Sequence, residues 1–156
     1  MEPELVGGLF GIGLVVLLWW ATWNSAKKRK IGLAITSYIA LFLTPLIAFF
    51  MTLFTEKINK TQDQPTYQQR LKYENTTAML IAEILYIVFS VLALVVGIIG
   101  CFYGRSGLAG CINFAILLTW GISLFFERKE LLRAKNEETE NVLADESESL
   151  VQNPYS

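Results

Sequence analysis

The chain has 156 residues, 53% of them hydrophobic and 13% aromatic, with 13 Lys/Arg against 14 Asp/Glu and no His. That balance leaves no basic surface for nucleic acid. The lack of His removes His-based catalysis and His-ligated metal, and two Cys cannot complete a tetrahedral thiolate site within one chain.

Four apolar runs, at residues 5–23, 31–54, 78–103 and 107–126, dominate the sequence. A helix needs about 20 apolar residues to cross a hydrocarbon layer roughly 30 Å thick. Barrel strands would alternate over about ten residues, whereas these runs are continuous. The expected fold is therefore an all-α membrane protein: a four-transmembrane-helix antiparallel bundle over residues 1–126. Residues 127–156 follow as a short helical extension and then a disordered acidic tail.

The first run opens after the acidic leader Met1-Glu2-Pro3-Glu4 and closes on Trp19, Trp20 and Trp23. A signal peptide has a basic leader and ends in small residues, so this run is a retained span. Gly7 and Gly11 form a GxxxG near its start. The link 24–30 carries Lys27-Lys28-Arg29-Lys30, and the positive-inside rule makes it cytoplasmic with the N-terminus outside.

Within the second run, Pro45 frees the carbonyl of Leu41 and is expected to kink the helix. Ser37, Leu41, Thr44, Ala48 and Thr52 line one of its sides. The loop 55–77 then lies outside, where Asn59 and Asn75 are candidate glycosylation sites. Chance in an Asn/Thr-rich stretch accounts for the same two sequons. Charge is divided against itself in this orientation. Lys57, Lys60, Arg70, Lys72, Arg128, Lys129, Arg133 and Lys135 fall outside, against Lys27–Lys30 and Arg105 inside. The first helix argues one way and the total count the other.

The third run carries Glu83, Tyr86, Ser90, Ala93, Gly97, Gly100 and Gly104 at alternating spacings of three and four. Such a repeat puts all of them on one face, and small residues on that face let backbones approach closely in lipid. Leu80, Val88, Leu92, Val95, Val96 and Ile99 lie on the others. Glu83 is the only acidic or basic side chain inside any run, and an isolated carboxylate in hydrocarbon must be protonated, paired or wetted. Thr52 and Trp120 are its expected donors; an ion or proton site is the competing reading. The fourth run carries Gly110, Asn113 and Leu117 on one side, with Asn113 expected to bond across helices.

Cys101 and Cys111 flank the turn centred on Ser106. They are candidates for S-acylation on a reducing side, for a disulfide on an oxidising one, or for buried packing. Beyond 126, Glu127, Leu131 and Leu132 have the form of an acidic dileucine signal, which helix continuation explains equally. From Asn136 onward the tail is acidic without a basic residue.

No P-loop or dinucleotide glycine fingerprint is present and no cofactor or metal is implied. Two function classes follow. The first is a non-enzymatic polytopic membrane protein, an accessory subunit, scaffold or assembly factor. Its partners are the lipid bilayer and other integral membrane proteins or further copies of itself. The second is an oligomeric small-ion channel or transporter using Glu83.

Overall fold

The computed structural model describes residues 3–58, 65–103 and 108–152, with side chains placed over 10–58, 65–103 and 109–147. Six helices account for nearly all of it: α1 (Pro3–Lys27), α2 (Gly32–Phe42), α3 (Pro45–Phe54), α4 (Tyr67–Leu71), α5 (Thr76–Phe102) and α6 (Leu108–Gln152).

The second apolar run is not one kinked helix but two. Thr44 is extended at φ −170° and ψ 155°, the region favoured before proline, and Pro45 opens α3 as its first residue. The Thr44 hydroxyl accepts from the Ile47 amide at 3.2 Å, so this pair caps a new helix. With 11 and 10 residues, α2 and α3 are each about 15 Å long, half a bilayer core.

Moreover, α3 comes back to where α2 began. The Lys30 amide donates to the Glu56 carbonyl at 3.0 Å, and the Ile58 amide to the Lys28 carbonyl at 2.9 Å. Arg29 pairs with Lys57 in an isolated antiparallel bridge, and Lys30 Nζ lies 2.7 Å from the Glu56 carboxylate. The Arg29 guanidinium donates to the carbonyls of Leu53, at 3.0 Å, and Thr55, meeting the negative end of α3. Four expected spans thus become three long helices and a short hairpin. The link 24–30 and the residues after 54 share one end of the bundle instead of opposite ends.

Asn75 caps α5 by accepting from the Thr77 and Ala78 amides at 3.0 and 3.1 Å. Helices α5 and α6 then pack antiparallel along their small residues. Glu83, Tyr86, Ser90 and Gly97 are buried on α5, and Ala93 and Gly100 are half-buried. The bulky Leu80, Val88, Leu92, Val95, Val96 and Ile99 are exposed. At the closest point the backbones touch: a Cβ on Gly110 would lie 2.4 Å from the Gly97 Cα and 3.0 Å from the Ala93 carbonyl oxygen. Gly104 lies outside the described residues. Among the described residues, nothing lies within 4 Å of where a Cβ on Gly11 would stand, so this glycine makes no close helix contact there.

The C-terminal segment is helical where disorder was expected. Nothing between Gly121 and Pro154 interrupts a helix, and Glu, Leu, Lys, Arg and Ala favour one. As a result α6 runs 45 residues, about 67 Å. Burial also continues past 126, with Leu131 and Ala134 at 0% and 8% exposure, and ends there: residues 135–147 are all exposed.

Thr76–Phe102 and Ala109–Ser147 are long and apolar enough to cross a membrane. Only 17% of the apolar window of each is buried, whereas the core helix of a water-soluble protein would be mostly buried.

The α5–α6 approach gives a direct test. Gly110→Ala forces two backbones apart and is expected to cost about 1–3 kcal/mol, read as a lower melting temperature in mild detergent. Gly121→Ala, whose Cβ meets Ile87 and Tyr86 at an ordinary 3.4 Å, should melt close to wild type.

Candidate functional site

Buried charge gathers at the end of the bundle where the hairpin returns. Glu127 on α6 accepts from Arg70 Nη1 on α4 at 2.8 Å and pairs with Lys27 at the end of α1. The other side of the Arg70 guanidinium stands 3.5 Å from Glu74. Glu74 in turn accepts from the Leu33 and Ala34 amides at 2.6 and 3.4 Å, capping α2 with a side chain from far along the chain. One line of ion pairs therefore joins α1, α4 and α6, and Glu74 carries it on to α2 by hydrogen bonds.

Gly32 makes the Glu74 contact available. Its φ of +74° suits glycine, and a Cβ there would lie 3.0 Å from the Glu74 carboxylate. Burial raises the Glu74 carboxyl above its ordinary range, opposed by the Leu33 amide and by Arg70. The exposed Lys30 amine is raised as well, by its hydrogen bond to Glu56 and the accompanying charge.

Arg70 is 4% exposed, and its Nε and Nη2 have no hydrogen-bond partner among the described residues. A cavity of about 150 Å³ adjoins it, lined also by Asn24, Lys27, Lys28, Tyr67 and Glu127.

Next to this charged layer sits an aromatic one. The Trp120 ring meets Trp19 and Trp23 edge-on, with centroids 4.5 and 4.7 Å apart, and lies near Tyr86 at 6.0 Å. Both polar ends are held by Ser37 on α2: Trp120 Nε1 donates to its hydroxyl at 3.0 Å, and the Tyr86 hydroxyl to its carbonyl at 2.9 Å. Outside this cluster, α1 and α6 leave a groove of about 560 Å³ lined by Val16, all four tryptophans and Asn24, with Ala115, Ile116, Thr119 and Ser123 on its α6 side.

Several sequence-based expectations are corrected here. Glu83 is paired with Arg128 Nε at 3.0 Å, not with Thr52 or Trp120. Thr52 spends its hydroxyl on the Phe49 carbonyl at 2.6 Å, and Trp120 its N–H on Ser37. Asn113 is exposed on the outer side of α6, because the side turned to α5 is set by Gly110 and Gly121. Cys101 and Cys111 are free thiols and exposed, so they are not packing residues buried across a hairpin. Asn75 is the α5 cap; Asn59 lies outside the described residues. Leu131 is fully buried, which leaves the dileucine reading without one of its two leucines at the surface.

Sequence reasoning missed Arg70, Glu74 and Glu127. The i,i+4 spacing of Arg70 and Glu74 was a signal for their pairing. Nothing local pointed to Glu127, 57 residues from its partner Arg70. No family model, curated protein or solved structure matches the chain. Fold and site together define an all-α chain with long apolar helices, closed at one end by buried ion pairs.

Removing one member of a buried pair strands the other. Glu127→Ala is expected to cost about 3–5 kcal/mol, seen as a large drop in melting temperature. Lys30→Ala, which breaks the exposed pair with Glu56, should leave melting nearly unchanged.

Proposed function

We propose that this chain is a non-enzymatic integral membrane protein acting as an accessory or assembly subunit. In this reading α1, α5 and α6 span the bilayer, and α2 and α3 form a re-entrant hairpin. The observation that carries it is the meeting of residues 28–30 with 56–58. Every Lys and Arg among the described residues then falls at or beyond one end of the bundle, which eases the conflict between first-helix and whole-chain charge counts. That end is cytoplasmic, the N-terminus is across the membrane, and the C-terminal extension is cytoplasmic. Asn75 lies on the cytoplasmic side too and carries no glycan.

Two features favour assembly over ion passage. Glu83 is occupied by Arg128, which neutralises the one carboxylate within the apolar runs. The acidic part of α6 from Glu137 to Ser147 is exposed over about 15 Å, flanking a cavity shared with α4, and its charge suits a basic partner surface.

Orientation is tested by single cysteines in a background lacking the native pair. An impermeant maleimide should reach Lys28→Cys and Lys57→Cys from the same face and a retained Cys101 from the opposite one. Labelling of 28 and 57 from opposite faces sinks the re-entrant hairpin. For the role itself, purification in mild detergent should bring down an unrelated membrane protein in fixed ratio, released when residues 136–156 are deleted. A symmetric homo-oligomer that passes ions in liposomes would replace assembly by the ion pathway.

A further inference from the structure

We infer that the chain binds one anionic phospholipid, its phosphate in the Lys27–Lys28–Arg70 cavity and an acyl chain in the tryptophan groove between α1 and α6. The inference rests on the membrane placement above and adds a ligand class to it. The cavity and the groove share Asn24 as a lining residue, which sets a polar pocket beside an apolar track. Along the track, residues 16–24 of α1 lie beside 115–123 of α6, a stretch of about 12 Å. An amphiphile with a charged head and a chain at least that long matches both parts at once.

The sign of the head follows from the charges present. Lys27, Lys28 and Arg70 line the cavity against the single carboxylate Glu127, with Glu74 behind Arg70. Lys27 and Arg70 are already shared with Glu127, but Lys28 is not, and Arg70 keeps Nε and Nη2 without a hydrogen bond at 4% exposure. A buried guanidinium whose Nε has no partner among the described residues, and whose Nη2 has only the 3.5 Å ion pair with Glu74, is a costly arrangement that an acceptor-rich phosphate relieves. Basic pockets between helices on the cytoplasmic side are a recurrent way of holding anionic headgroups. The height is also consistent. Trp19, Trp20 and Trp23 occupy the belt position just below Lys27 and Lys28, where headgroup meets chain.

Because all four tryptophans of the chain line the groove, they report its occupant. The full chain is reconstituted in phosphatidylcholine vesicles containing a minor fraction of phosphatidylglycerol brominated on its acyl chains, and tryptophan quenching is read against brominated phosphatidylcholine at the same fraction. Excess quenching by the anionic lipid is expected, with its apparent affinity weakened roughly fivefold in Lys28→Gln, whose side chain makes none of the buried pairs. Arg70→Lys, which keeps the charge but loses the fork, should weaken it also.

Equal quenching by the two lipids overturns the site in favour of ordinary annular contact, as does an unchanged Lys28→Gln. Abolition of the excess by inorganic phosphate at matched concentration overturns it in favour of a free-anion site. Alkaline carbonate extraction of the same vesicles separates the two levels of the argument. A chain that stays in the pellet yet shows no lipid preference refutes this site alone, and a chain that washes off refutes the membrane placement with it.

Discussion

Pro45 has no amide hydrogen to give to the carbonyl one turn back, and it forces Thr44 into extended backbone. Everything distinctive about the architecture depends on that break. A continuous helix over 31–54 would carry the chain to the far end of the bundle, and Glu56 could not meet Lys30. Instead the chain reverses midway, and the polypeptide on both sides of the hairpin is fastened by backbone hydrogen bonds at 2.9 and 3.0 Å. The hairpin is short, yet its two ends are among the best-tied parts of the molecule.

That return creates a crowded polar end. Lys27, Arg70, Glu74 and Glu127 come from separate elements, and each satisfies a neighbour that burial would otherwise leave charged and alone. Glu74 serves twice, as ion-pair partner and as the cap on α2. The aromatic layer beside it is equally shared: Ser37 of the hairpin takes the polar tips of Trp120 and Tyr86, so α2 locks to both α5 and α6. Beyond the Glu83–Arg128 ion pair, α5 and α6 rely on close backbone approach at Gly97 and Gly110. The bundle is thus held by specific polar contacts at one end and by close packing elsewhere.

Helix identity was legible in the sequence because it depends on local properties. The lengths and hydropathy of the runs marked α1, α5 and the first half of α6, and the three-and-four spacing from Glu83 to Gly100 marked the face of α5 that turns inward. The Thr44-Pro45 pair was also legible as a helix start, but a run of 24 apolar residues fits one span as well as two halves, and length alone favoured the span. Composition misjudged the segment after Asn136. Acidic and apolar-poor stretches bury no core, but nothing in them stops a helix already propagated through α6.

The sequence by itself determined that the chain is helical, that its long helices are apolar on most faces, and which side of α5 could accept another backbone. These follow from spacing and side-chain size within one helix. Only the tertiary structure decided that residues 28–30 and 56–58 lie together, that Glu83 belongs to Arg128, and that Arg70, Glu74 and Glu127 form one buried line of charge. Each of those depends on where the chain reverses, and a reversal is a choice among packings of whole helices. Local periodicity is the same for both alternatives, so it carries no information about which one forms.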